Sequence, residues 1–193
     1  MNTSVYERAP RVAGVAAEPA IESSVSAVSW PAIFAGASVA AAASVMLVAL
    51  GSGLGFAAIS PWSGVKVDTF AISSGVWLIV VQWVAAGLGG YVTGRLRTKW
   101  AGTHTHEVFF RDTAHGLITW AVATVIVALA TTLAALAAAA AGTHAVMATV
   151  ADQDAARKAA AAASIFTALS LVVGAFIACV AGALGGRQRD EHP

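Results

Sequence analysis

The chain has 193 residues, of which 58% are hydrophobic and 11% are charged, and its mean hydropathy is +0.76. Soluble domains contain about 25% charged residues on average, so this composition excludes a water-soluble fold and a disordered chain. The net charge of +1 and the lack of a basic stripe argue against nucleic acid as a partner.

Four stretches of the chain contain no Asp, Glu, Lys or Arg. They are 43, 26, 39 and 28 residues long, at 23–65, 69–94, 113–151 and 159–186, whereas a helix needs only about 20 apolar residues to cross a bilayer. The sequence therefore predicts an all-α integral membrane protein, a bundle of four transmembrane helices in one domain. We expect spans at about 30–55, 70–94, 113–140 and 160–185, in a domain of residues 30–187 between cytoplasmic tails at 1–29, which is flexible, and 188–193.

Caps and breakers suggest where these spans begin and end. Ser29 precedes Trp30-Pro31, and serine is a common cap at a helix start, where proline is tolerated in the first turn. The glycines of the 51–55 segment predict the end or a bend of the first helix. Asp68 or Thr69 is expected to cap the second span, and Asp112 or Thr113 to open the third.

The basic residues predict the orientation. Cytoplasmic loops of membrane proteins carry an excess of Lys and Arg. One side of the predicted bundle has eight of them, and the other side has three, which places both termini in the cytoplasm. The eight are Arg8, Arg11, Arg95, Arg97, Lys99, Arg111, Arg187 and Arg189, and the three are Lys66, Arg157 and Lys158.

Four short motifs resemble a known family. They are Trp30-Pro-Ala-Ile33-x-Ala35-Gly36, Gly51-Ser-Gly53-Leu-Gly55, Gly89-Gly90-Tyr91-x-x-Gly94-Arg95 and His115-Gly116-Leu-x-x-Trp120. As a set, they make the first three spans similar to an uncharacterised family of short bacterial four-span inner-membrane proteins, some labelled "PhnA-like". The resemblance implies a bacterial cytoplasmic membrane and no particular activity.

The ends of the second and fourth spans resemble each other. Residues 87–95 and 182–187 both combine closely spaced glycines with a following arginine. Two hairpins of the same orientation are the signature of a parallel internal repeat, as in some transporters. The alternative is that small residues followed by arginine are simply how a helix ends at the inner boundary. Both interpretations stay open.

The densest group of possible metal ligands is His104, His106 and Glu107, with His115 eight residues further on. Imidazole and carboxylate groups suit zinc, but the spacing differs from HExxH, in which both histidines share one helical face. The favoured interpretation is a wet interfacial loop. Haem ligated by two histidines of one protomer is excluded because His144 would lie at the opposite membrane side. We expect no cofactor.

The spans contain no recognisable catalytic group. No nucleophile elbow or serine–lysine pair occurs in them, and Cys179 has no nearby histidine in the sequence. We therefore expect a protein that is not an enzyme. The spans as predicted also hold no carboxylate and no buried Lys or Arg, which are the usual marks of ion-coupled transport, so coupled transport by a monomer is not expected.

The predicted spans contain one amide side chain. Gln82 lies near the middle of the second span, and Ser44, Thr124 and Ser170 lie at matching depth in the others. An unpaired amide in hydrocarbon costs several kcal/mol, so Gln82 should face the bundle, with these hydroxyl groups as partners.

Small residues predict helix packing. Gly87, Gly90 and Gly94 share one face of the second span, and Gly174 and Gly185 belong to a small-residue stripe on the fourth. Such faces let helices approach closely in lipid. We expect a scaffold or accessory subunit that assembles through them, as a homo-oligomer or within a larger complex in the bilayer. The alternative is an oligomeric channel or facilitator with a path near Gln82. No small-molecule substrate is identifiable.

Overall fold

The computed structural model describes residues 26–58, 67–99, 104–140 and 150–191, and these ranges contain four α-helices and no strand. The helices are α1 (Trp30–Ala58), α2 (Val67–Leu96), α3 (Thr105–Ala140) and α4 (Val150–Glu191). Each of them is long and apolar enough to cross a membrane. The all-α, four-span prediction is therefore confirmed. Residues 1–25 of the predicted tail at 1–29 lie outside the described residues, and so do residues 59–66 between α1 and α2.

The helices continue beyond the charge-free stretches that predicted them. α3 begins eight residues before the expected start, and α4 extends ten residues earlier and six later than expected. Charged pairs one turn apart lie in these extensions, such as Arg111 with Glu107 and Arg187 with Glu191. A helix can continue past the hydrocarbon where water solvates such side chains, so absence of charge marks the membrane rather than the helix. The expectation that Asp112 opens α3 is wrong.

α1 does not end at its glycines. It continues through the 51–55 segment to Ala58, since an apolar environment offers the backbone no alternative to its own hydrogen bonds. Gly51 serves another purpose, because a Cβ at this position would collide with the Trp77 indole. That indole instead packs against α1 and donates a hydrogen bond to the Leu47 carbonyl oxygen at 3.0 Å.

α2 is the central helix of the bundle. It packs along α4 and α1 and touches α3, while the backbones of α1 and α4 do not come close to each other within the described ranges. The starts of α1 and α3 and the ends of α2 and α4 meet at one end. We call it the arginine end, because six basic residues of the described ranges are found there: Arg95, Arg97, Lys99, Arg111, Arg187 and Arg189.

Small side chains fill the interior, and large apolar ones cover the outside. Among the residues that the structure describes, nine of the eleven buried apolar ones are alanines, so the helices approach through their backbones. Lipid tails are as apolar as leucine, so close packing of small residues is what brings such helices together. In α3, every residue from Ala128 to Ala140 is exposed. The outer part of α3 therefore has no buried residue.

Candidate functional site

A buried ion pair links α2 and α3 at the arginine end. Arg97 Nε donates to Asp112 Oδ1 at 2.6 Å, and the two side chains are 0% and 3% exposed. Arg97 follows the last residue of α2, and Asp112 lies in the third turn of α3 on its buried face. Asp112 precedes the predicted third span at 113–140 and Arg97 follows the predicted second span at 70–94, so the expectation that these spans hold no carboxylate and no buried arginine stays a prediction.

A second arginine, from α4, completes this cluster. Arg189 Nη1 lies 3.8 Å from Asp112 Oδ1 and donates to the carbonyl oxygens of Gly94 and Arg97 at 3.0 and 3.2 Å. Carbonyls at a helix end lack partners within the helix, so Arg189 caps α2. Its other nitrogen pairs with Asp190 at 3.0 Å. The cluster therefore balances two guanidinium groups with two carboxylates.

Burial also affects the titration of this pair. Loss of solvation lowers the pKa of Arg97 from its ordinary value, and the adjacent Asp112 carboxylate opposes that shift. The ordinary pKa of arginine is so high that the side chain stays charged in proteins. The Arg97 guanidinium thus stays a cation that needs its carboxylate partner.

His115 ties α3 to the start of α1. Its Nε2 accepts a hydrogen bond from the Ser29 backbone N–H at 2.9 Å, and its Nδ1 lies 2.6 Å from the Arg111 carbonyl oxygen. An accepting Nε2 carries no proton, so Nδ1 is the donor to Arg111 and the imidazole is neutral. Both ring nitrogens of His115 are therefore engaged at this end of the bundle.

A threonine pair joins three helices beside the ion pair. The hydroxyl oxygens of Thr93 and Thr119 lie 2.8 Å apart, and the side chains are fully buried. Thr93 Oγ1 also lies 3.2 Å from the Ala32 carbonyl oxygen of α1. These contacts close the middle of the bundle between the ion pair and the bilayer interior.

The residues proposed as metal ligands do not converge. His104 and His106 are exposed, and Glu107 pairs with Arg111 at 2.6 Å. His115 uses both nitrogens as described above. In the part of the chain that the structure describes, no three His, Cys, Asp or Glu side chains are grouped for a metal ion.

The predicted small-residue faces meet each other inside one chain. A Cβ on Gly90 would lie 2.5 Å from the Ala178 carbonyl oxygen, and one on Gly94 would collide with the Gly182 backbone. Gly185 is packed in the same way against the Tyr91 backbone, whereas Gly87 has ordinary van der Waals distances to Ile177. α2 and α4 thus share an interface that only glycine permits.

In each helical hairpin, α1 with α2 and α3 with α4, a glycine lets the two helices come into close contact. A Cβ on Gly89 of α2 would lie 2.7 Å from the Gly36 carbonyl oxygen of α1, and one on Gly182 of α4 would lie 3.1 Å from the Cα of Gly116 in α3. The two segments with similar sequences, 87–95 and 182–187, pack directly against each other. The internal duplication stays a hypothesis. Each of the two hairpins has a close contact between a glycine of one helix and a glycine of the other.

The intramembrane polar residues surround one cavity. It has a volume of about 480 Å³, lies among all four helices on the side of Thr93 away from the arginine end, and is bordered by Gln82, Ser44, Thr124 and Ser170. The two serine hydroxyls donate within their own helices, Ser44 to the Ala40 carbonyl oxygen at 2.9 Å and Ser170 to that of Thr167 at 2.8 Å. The structure brings the predicted set together around a space rather than in direct pairs.

An indole and an amide meet at one wall of this cavity. Trp120 lines it, and its Nε1 is buried with no hydrogen-bond acceptor among the described residues. A Cβ on Gly174 would lie 3.0 Å from this nitrogen and 3.2 Å from the Gln82 amide carbon. Gly174 therefore makes room on α4 for both polar groups.

The positions of Arg97 and Asp112 in the sequence indicate the ion pair, although the sequence analysis did not predict it. Arg97 and Asp112 flank the segment between the second and third spans, and a short connection of this kind brings its two ends close together. The positive-inside rule already explains an arginine at this position, so there was no reason to assign Arg97 to an ion pair as well.

Chemically, the bundle combines a charge-balanced, closed end with a mainly apolar cavity. The buried ion pair and the threonine pair have their partners, so they hold helices rather than offer reactive groups. The cavity offers hydrogen-bonding groups that are uncharged. A comparison with known proteins finds no matching family model, no matching curated protein and no matching solved structure.

Proposed function

We propose that the chain is a non-enzymatic integral membrane protein that acts as a scaffold or accessory subunit. One observation carries this proposal: the outer part of α3, Ala128–Ala140, is exposed at every residue. A helix within a polytopic bundle normally buries one face. No residue of this segment is buried, although Ala128 and Thr131 also border the cavity, so much of its surface is available to a second copy or to a larger membrane complex.

The composition of the segment supports packing against another helix. It consists of ten alanines or threonines and three leucines, and small residues are enriched where transmembrane helices meet. The hydroxyls of Thr131 and Thr132 donate to carbonyls of their own helix, so they need no polar partner. The glycine faces first expected to mediate assembly are occupied within the protomer, so we assign assembly to this segment instead.

A tryptophan placed on the segment tests the proposal. Ala135→Trp should reduce assembly, because a bulky ring keeps partner backbones apart, and the protein purified in mild detergent should shift toward the 19.4 kDa protomer. Ala42→Trp, at an exposed alanine of α1, is the matched control. Native mass spectrometry measures the oligomeric state of both variants. A wild-type protein that is already monomeric and brings no membrane protein with it would contradict the proposal.

A second function, an oligomeric channel or facilitator, is favoured by the cavity. The side chains of Gln82, Ser44, Thr124 and Ser170 give it hydrogen-bonding groups at mid-span, as a path for a neutral solute requires. The threonine pair and the glycine contacts close the bundle between this cavity and the arginine end. Solute flux into liposomes that is abolished by Gln82→Leu would favour this function over the scaffold.

The proposal includes a location. The arginine end holds six described basic residues and the opposite end two, Arg157 and Lys158, which supports both termini in the cytoplasm by the positive-inside rule. We further propose the bacterial cytoplasmic membrane and the PhnA-like family on the motifs given above. The partners are then the lipid bilayer and other membrane proteins, with no nucleic acid among them.

A further inference from the structure

Two cations at the arginine end have no carboxylate partner within the described ranges. The other four basic residues there are paired, Arg97 with Asp112, Arg111 with Glu107, Arg187 with Glu191 and Arg189 with Asp190. These pairs use every Asp and Glu that the structure describes at this end. Arg95 and Lys99 remain, both exposed, so the surface at the end of α2 carries an excess of positive charge.

The free hydrogen-bonding groups on this surface are donors. The Tyr91 hydroxyl donates to Gln188 Oε1 at 2.6 Å, which joins α2 to α4 and leaves the exposed Gln188 amide nitrogen without an acceptor in the part of the chain described. Lys99 Nζ reaches α4 as well, 3.4 Å from the Asp190 carbonyl oxygen. Guanidinium, ammonium and amide nitrogens only donate. A phosphate group, with its negative charge and several acceptor oxygens, matches both the charge and the donors.

The end of α2 is also less repulsive to an anion than a bare helix end. Carbonyl groups at a helix C-terminus carry partial negative charge. Arg189 Nη1 donates to two of these carbonyl oxygens, those of Gly94 and Arg97, at 3.0 and 3.2 Å. This contact covers part of the negative end of the helix, so the exposed cations beside it dominate the local charge.

Apolar side chains continue this surface into the membrane. Leu88, Tyr91 and Arg95 follow one another at spacings of three and four residues, so they share one face of α2, and Leu88 is 46% exposed. On α4, Leu184 lies one turn before Gln188 and is 50% exposed. The hydrogen bond between Tyr91 and Gln188 shows that the two faces adjoin. A molecule with a phosphate and an apolar chain fits the whole surface, whereas a free phosphate ion would use its polar end alone.

We propose that the outer surface of α2 and α4 at the arginine end binds an anionic phospholipid. Its phosphate lies at Arg95 and the Gln188 amide, and an acyl chain lies along Leu88 and Leu184. Basic residues at a membrane surface attract anionic lipids, and the two cations without partners repel the ammonium group of a zwitterionic lipid. This site is independent of assembly through α3, because it lies on other helices.

Competition between two lipids tests the proposal. The full chain is delipidated by detergent exchange and mixed with equal amounts of phosphatidylglycerol and phosphatidylcholine that have identical acyl chains. Native mass spectrometry measures the ratio of the two bound lipids, and phosphatidylglycerol should predominate. Arg95→Gln should lower this ratio about 5-fold, as expected for one basic residue at an anionic lipid surface. Arg95 is exposed, so its replacement should leave the bundle folded.

Arg187→Gln is the matched control, because it removes the same charge from the same end of the bundle. The Arg187 side chain is 69% exposed and pairs with Glu191, so its loss should leave the lipid ratio unchanged. Excess inorganic phosphate should not displace the bound phosphatidylglycerol. Equal effects of the two variants, or no preference between the lipids in the wild-type protein, would overturn the proposal. Displacement by inorganic phosphate would overturn it as well, because it would assign the surface to a free anion.

Discussion

Gly90→Leu is expected to prevent the bundle from forming or to lower its free energy of unfolding by about 3 kcal/mol or more. Overpacking a filled core costs about 1–3 kcal/mol and occasionally more, and here the obstacle is backbone. A Cβ at Gly90 lies 2.5 Å from the Ala178 carbonyl oxygen and 3.0 Å from its Cα. These atoms move only if α2 and α4 separate. Thermal unfolding in detergent measures the loss.

Gly53→Leu is the matched control for this prediction. A Cβ at Gly53 has no heavy atom within 4 Å, and glycine is a poor helix former relative to leucine. The same substitution should therefore leave stability unchanged or raise it slightly. Equal tolerance of leucine at both positions would contradict the packing of α2 on α4 described above.

Asp112→Asn is expected to destabilise the protein by about 3–5 kcal/mol, the cost of leaving one partner of a buried ion pair uncompensated. The change keeps the size of the side chain and removes its charge. The Arg97 guanidinium, which is 0% exposed, then has no counter-ion at 2.6 Å, and Arg189 nearby adds a second positive charge. Unfolding by denaturant or heat in detergent measures the difference.

Two further variants test that explanation. Glu107→Gln breaks a neighbouring pair with Arg111 whose side chains are 46% and 27% exposed, and exposed pairs contribute less than about 1 kcal/mol. Removing both buried charges in Arg97→Met with Asp112→Leu should recover stability relative to Asp112→Asn, since no orphan charge remains. If Asp112→Asn is as mild as Glu107→Gln, the ion pair has no structural role.

The four spans could be predicted because their signal is local. About 20 consecutive apolar residues are sufficient for a span, and α1 through α4 each contain such a stretch. The depth of a side chain in the bilayer can also be predicted locally, because it follows from the position of the residue along its span. This is why Gln82, Ser44, Thr124 and Ser170 could be grouped from the sequence and border one cavity in the structure.

The pairing of helices depends on residues far apart in the chain, so it could not be predicted from the pattern of any one segment. A face of small residues such as Gly87, Gly90 and Gly94 looks the same whether it meets another protein or α4 of the same chain. The ion pair was missed for a related reason, because Asp112 was assigned as a cap by its position at the edge of a charge-free stretch. Its burial depends on α2 and α4, which no single segment reveals.

Cross-linking tests the central claim, the direct packing of α2 on α4 within one chain, most directly. A Cβ on Gly185 would lie 3.1 Å from the Arg95 backbone nitrogen, and Gln188 is one turn further along the same helix. In a Cys179→Ala background, cysteines at Arg95 and Gln188 should be joined by a short bismaleimide within a single protomer. The control pair, Arg95 with Gln153, lies about 50 Å further along α4 and should not react. Links only between protomers, or a link in the control pair, would contradict the account.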